Sequence, residues 1–258
     1  MHIVVCVKTS PDLQMVRIKD RVAQTEAVPC KIGDLEKNAL EAAVVLRESG
    51  AAAKVTALCL AEGNRKAAED VKVALAMGAD EAVVISDPAL AEPDEAAVAA
   101  TLAAAVDKLG ACDLLLFGEG STDNYTGQVG ARVAERLGLP QIGYARKLEA
   151  ADGVVRCERS MDDMLETLEA PLPAVVTVVS EINEPRIPGL MQIMKAKNKP
   201  LQVWSLGDVG LEAPTPVREM VSNLAEEQDR KHILLEGTAA EQADALVDAL
   251  IREGVLGR

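Results

Sequence analysis

The chain has 258 residues, 49% of them hydrophobic but only 2% aromatic, so one large core must be built from Ala, Val, Leu and Ile. A net charge of −14 and a pI near 4.7 exclude broad binding to nucleic acid or anionic membranes. The longest apolar runs are strand-sized, so no membrane span is expected.

In chain order, "MHIVVCVK" enters a strand pattern at once, without the organisation of a signal peptide. A helical pattern from Leu35 to Glu48 follows, then the strand "KVTALCL" and a second helix from Arg65 to Met77. The strand "AVVIS" precedes a third helix, Asp94 to Leu109, in which Val98, Leu102, Val106 and Leu109 recur every three or four residues along one buried stripe. The strand "DLLLF" leads into the glycine-rich stretch "GEGSTDNYTGQVG" and a helix from about Thr126 to Leu137. Hairpin segments are expected around "VVRCERS" and "LETLEAP", with Asp162 and Asp163 in the exposed turn, and then a strand in "PAVVTVV". Runs apolar on both faces that alternate with helices predict an α/β fold: a Rossmann-like parallel sheet flanked by helices, covering residues 1 to 200. Residues 201 to 258 read as a C-terminal arm rich in turn residues that ends in the amphipathic helix of "GTAAEQADALVDALIREG".

Scattered and odd in number, Cys6, Cys30, Cys59, Cys112 and Cys157 read as reduced core thiols of a cytoplasmic protein. With only His2 and His232 and no CxxC, no metal site is expected, and no GxSxG or Cys–His pairing suggests a catalytic residue. The glycine-rich stretch lies beyond the carboxyl end of a strand, where open parallel sheets bind ligands. A helix starting there presents unpaired N–H groups, and Gly127 and Gly130 would let phosphate oxygens approach the backbone. Thr126 and Gln128 add donors, and Asp123 is placed to cap the helix or hold a ribose hydroxyl. An ordinary strand–helix connection has the same composition, because the stretch is neither GxGxxG nor a P-loop.

Several segments resemble the β subunit of electron transfer flavoproteins, in order and over essentially the full length. They are "VVCVKTSPD", "DLEKNALEAA", "ALAMGADEAVVI", "STDNYTGQVG", "RSMDDMLETLEAPLPAVVT" and "INEPRIPGLMQIMKAK". The fourth matches the family's Asp-x-x-Thr-x-Gln-Val-Gly nucleotide loop. The resemblance implies an adenine-nucleotide α-hydrolase-like sheet and a heterodimer whose α subunit holds the redox FAD while the β subunit holds a structural AMP. In the bifurcating branch a second FAD replaces AMP and takes hydride from NADH. A stand-alone adenine-nucleotide sensor of stress-protein type would share the same sheet.

The positions matching nucleotide contacts are Cys6, then Gly33, Asp34, Leu35 and Glu36, then Glu62. They continue through Gly118 to Val129, including Asp123, Asn124, Tyr125, Thr126, Gly127 and Gln128. The chain departs from the family where "GDL" replaces Asn-Pro-Phe or Asn-Pro-Tyr, where "GEG" replaces Gly-Lys-Gln, at Tyr125 in place of an acid and at Leu13 in place of an aromatic. Residues 183 to 199 match the family's partner-recognition loop. Leu190 falls on its anchor, Met191, Ile193 and Met194 give an adaptable apolar surface, and Arg186 and Lys195 serve as charged rim. The implied partners are flavin-dependent dehydrogenases of the acyl-CoA dehydrogenase type, with a quinone oxidoreductase as acceptor. The arm resembles the extension that wraps the α subunit.

Overall fold

The computed structural model describes residues 1–61, 66–215, 217–218, 220–226 and 231–257. In chain order its elements are β1 (His2–Pro11), β2 (Arg17–Lys19), β3 (Val22–Gln24), β4 (Cys30–Ile32), α1 (Asp34–Glu48), β5 (Lys54–Leu60), α2 (Ala67–Asp70), α3 (Lys72–Met77), β6 (Glu81–Ile85) and α4 (Glu95–Leu109). Then follow β7 (Leu114–Gly118), α5 (Val129–Leu137), β8 (Gln141–Ala151), β9 (Val154–Ser160), β10 (Leu165–Pro171), β11 (Ala174–Val178), α6 (Leu190–Ala196), β12 (Leu201–Trp204) and α7 (Ala239–Arg252).

Among the described residues, one sheet runs β10-β9-β8-β11-β7-β1-β5-β6-β12. It is parallel from β8 to β12, while β9 and β10 form an antiparallel extension on one edge. The strands alternate between two cores. Ile3, Val5 and Val7 of β1 face α1 and α3, and Val4 and Cys6 face α4 and α5. Both faces of β1, β5 and β7 are therefore buried, which is why these strands read as unbroken apolar runs. With few aromatics to fill space, alanines such as Ala39, Ala43, Ala99 and Ala105 let the helices sit close on the sheet.

The sheet, its flanking helices and the β9–β10 hairpin follow the sequence pattern. The differences are local. The helix predicted over Arg65–Met77 is two short pieces, α2 and α3, joined through Val71; Arg65 itself lies outside the described residues. The helix predicted from Thr126 begins at Val129, because Tyr125 (φ 47°) and Gly127 (φ 64°) leave the right-handed helical region. Strand β12 lies beyond residue 200, in the segment assigned to the arm, and pairs parallel with β6. Just after it, Leu206 is buried in the core beneath α4, and Lys108 lies 4.6 Å from the centre of the Trp204 ring.

Beyond β12 the arm returns across the domain. Asp94, which caps α4 by accepting the Ala97 N–H, also accepts the Val217 N–H at 2.8 Å. Arg218 pairs with Glu95, Leu224 forms a bridge with Val22, and Arg21 Nε donates to the Ala225 carbonyl at 2.9 Å. The arm's terminal helix, α7, starts with a capping box between Thr238 and Glu241 and has no buried residue.

Candidate functional site

Strand order places a crossover at β1. The chain proceeds from β1 outward through β5 and β6, then returns to the other side of β1 as β7. Ligands bind at such a point, beyond the carboxyl ends of the strands, because the two adjoining connections diverge and leave a crevice. Here that crevice is a cleft of about 1480 Å³. Its floor comes from Cys6, Val7 and Lys8 of β1, Leu60 of β5, and Phe117 and Gly118 of β7. One wall is the loop from Glu119 to Gly130, another is the turn Ala91–Glu95 before α4, and Val217, Arg218 and Met220 to Asn223 of the arm form a third.

Of the nucleotide positions read from the sequence, Cys6, Glu36, Gly118, Asn124, Thr126, Gly127, Gln128 and Val129 line this cleft. Cys6 lies within β1, and burial drives its thiol pKa upward, so it stays a protonated packing group. Gly33 is the residue before α1; a Cβ there would lie 2.1 Å from Glu36 Oε2. Leu35 is behind the wall, against Gly118, where a Cβ would come within 2.8 Å of the Leu35 Cβ. Asp34 points away and pairs with Lys37 at 2.8 Å. Glu62 lies outside the described residues.

The loop is braced by its own side chains. Asp123 does not cap α5: its carboxylate is 3.0 Å from Lys8 Nζ and accepts the Asn124 N–H. The N-cap of α5 is Gln128, which makes no side-chain capping bond; its side-chain oxygen accepts from Arg132 at 2.9 and 3.1 Å. Tyr125 folds back over Gly120 and donates its hydroxyl to Glu119 at 2.8 Å, and does not line the cleft. Gly130 lines the cleft and also has a packing role. A Cβ there would lie 2.7 Å from Thr177 Cγ2, so glycine lets α5 rest directly on β11.

Sequence reading missed Lys8, the turn Ala91–Glu95, and the arm's contribution to the cleft. Lys8 is the one with a usable signal, a cation at the carboxyl end of the first apolar run.

The cleft is acidic. Among the described residues, Glu36, Glu92, Asp94, Glu95 and Glu119 line it, and the lining cations Lys8 and Arg218 are paired with Asp123 and Glu95. Asp94 is held below the ordinary carboxylate range by the N–H groups of Ala97 and Val217. Glu36 is the opposite case. Burial pushes its pKa to about 7, against the pull of its own backbone N–H and of Lys8, with Asp123 and Asp34 adding to the rise. Its Oε2 has no hydrogen-bond partner among the described residues. Among the described residues, no group of His, Cys, Asp and Glu is arranged to hold a metal, and no helix is long and apolar enough to cross a membrane.

A second surface is built from the residues around α6. Ile187 is 93% exposed and Leu190 73%, with Met191, Ile193 and Met194 also exposed. The segment is fastened at both ends. Arg186 turns inward to form paired bonds with Glu41 (2.8 and 2.9 Å) and Glu48 (2.6 and 2.9 Å), and Asn183 and Asn38 exchange bonds with one another's backbone. At the far end Lys199 donates to the Leu75 and Ala79 carbonyls. Arg186 and Lys199 therefore anchor the segment, while Lys195 remains on the exposed face.

Fold and cleft define the protein as a Rossmann-like α/β protein with a cleft at the crossover of a mostly parallel sheet. Residues 21–209 match the electron transfer flavoprotein domain. The chain belongs to that family.

Proposed function

We propose that the chain is the β subunit of a heterodimeric electron transfer flavoprotein, binding AMP in the cleft and docking flavin-dependent dehydrogenases through Leu190. The observation that carries this reading is the loop after β7. It arranges Gly118, Asn124, Thr126, Gly127 and Gln128 along a cleft at the sheet's crossover, before an uncapped helix start. Thr126 and Gln128 supply side-chain donors, and Lys8 supplies positive charge at the floor. AMP has no redox role here; it ties the loop to the sheet. The FAD held by the α subunit supplies the one-electron chemistry when bound. This chain's residues position that subunit, and the exposed apolar face of α6 holds a reduced dehydrogenase of the acyl-CoA dehydrogenase type nearby. A quinone oxidoreductase then accepts the electrons.

The size of the cleft favours a second reading. At about 1480 Å³ it exceeds the ~300–1,000 Å³ of ordinary small-molecule sites, so it has room for FAD in place of AMP, as in a bifurcating flavoprotein. Co-expression with the α subunit, followed by mass identification of released nucleotides, separates the two. One flavin and one AMP per heterodimer is the expected result, and two flavins supports bifurcation. A solitary chain without nucleotide overturns both. Replacing Thr126 by Val together with Gln128 by Ala lowers nucleotide content if the cleft is the binding site.

A further inference from the structure

Glu36 is a buried acid with an unanswered hydrogen-bonding group. It lies in the first turn of α1, is 5% exposed, and lines the cleft. Its Oε2 has no partner among the described residues, and the missing side chain of Gly33 leaves room for that oxygen. A buried polar atom without a partner is costly, and a ligand that bonds to it removes the cost.

The charge around it determines the form in which it bonds. The groups acting on Glu36 are Lys8 of β1, Asp123 of the loop after β7 and Asp34 of its own helix. The Cys6 thiol and Glu119 share the cleft wall. Lys8 is already ion-paired with Asp123. Among the described residues, an incoming phosphate therefore meets more negative than positive charge, and each added negative charge raises the proton affinity of a neighbouring carboxylate.

We propose that Glu36 engages the cleft's ligand as a neutral carboxylic acid, so that an adenine nucleotide binds together with about one proton. This rests on the reading of the cleft as an AMP site. A carboxylate only accepts hydrogen bonds, whereas the protonated group also donates one, which suits a ligand rich in acceptor oxygens and ring nitrogens. The pKa of about 7 in the ligand-free protein puts the exchange within the neutral range. Glu36 thereby makes nucleotide occupancy sensitive to pH.

The test is calorimetric titration of AMP into the nucleotide-free full-length protein at pH 7.5, in two buffers of different ionisation heat. Wild type is expected to take up roughly 0.7 proton per AMP, and its affinity to fall up to about tenfold between pH 7.5 and 8.5. Glu36→Gln keeps a donor and an acceptor but cannot ionise. It should lose both the proton uptake and the pH dependence. Binding by wild type without proton uptake overturns the proposal and leaves the AMP site intact. Uptake that persists in Glu36→Gln also overturns it, by assigning the proton to another group. Failure of AMP to bind wild type at any of these pH values overturns the AMP reading and the proposal with it. The wild-type measurement alone decides the outcome if the variant does not fold.

Discussion

At the scale of one residue, Glu36 links the cleft to the stability of the fold. A pKa of about 7 against the ordinary 4.5 corresponds to about 3 kcal/mol between the protonated and ionised forms of this buried group. The sign follows from proton counting. Between pH 4.5 and 7 the folded chain binds the proton and the unfolded chain does not, so stability falls as pH rises through that window and levels off above it. A glutamine side chain at this position has no charge to desolvate. In the absence of nucleotide, Glu36→Gln should be more stable than wild type by up to about 3 kcal/mol at pH 8, and the difference should shrink to less than about 1 kcal/mol by pH 5. Urea unfolding at the two pH values measures this. A difference that does not change with pH means that Glu36 ionises as freely in the folded chain as in the unfolded one.

At the scale of elements, α6 is a seven-residue helix with one buried residue, Ala196, so packing contributes little to holding it in place. Its position comes from the anchors on either side, Arg186 and Lys199. Two substitutions separate position from contact. Leu190→Ala removes exposed surface and should slow dehydrogenase-linked reduction tenfold or more, a loss of about 1.4 kcal/mol or greater, with stability changed by less than about 0.5 kcal/mol. Arg186→Met leaves the apolar face intact but strands Glu41, which is buried, without its partner. It should slow reduction and also destabilise the chain, by about 1–3 kcal/mol. Steady-state reduction rates and unfolding curves on both variants give the comparison; equal rates for Leu190→Ala and wild type remove the anchor.

The same contrast explains what could be read in advance. Strands β1, β5, β6, β7 and β11 were legible because burial on both faces leaves continuous apolar runs. Strand β12 was not: it is an edge strand behind Pro200, with Gln202 and Val203 exposed, and its pairing with β6 depends on contacts far away in sequence. The exposed β2–β3 hairpin left no apolar signature either. In the cleft, the glycine-rich loop was visible as composition. That Glu36 Oε2 has no partner among the described residues, and that Arg186 turns inward, was not visible, because both arise from which side chains the fold brings together.

At the scale of the whole molecule, the arm divides into two parts with different roles. Val217, Arg218, Leu224 and Ala225 pack back on the domain, through Asp94, Glu95, Val22 and Arg21, and Val217, Arg218 and Met220 to Asn223 close one side of the cleft. Helix α7 has no buried residue, and its apolar positions Ala243, Leu246, Val247, Leu250 and Ile251 fall on one face. A helix of 14 residues is marginal by itself in water, so that face needs a surface to cover it. The family reading supplies one, the α subunit. Deleting residues 237–258 should therefore leave the unfolding free energy of the isolated chain within about 0.5 kcal/mol of the full length, because no core contact is lost. The same deletion should weaken association with the α subunit by about tenfold or more, since an apolar helix face is worth at least about 1.4 kcal/mol when buried. Retaining 217–225 keeps the cleft wall, so nucleotide capacity serves as the internal control. Denaturant unfolding of the truncated chain and pull-down by a tagged α subunit measure the two effects. Truncation that destabilises the lone chain by several kcal/mol while association is unchanged would assign α7 to its own domain.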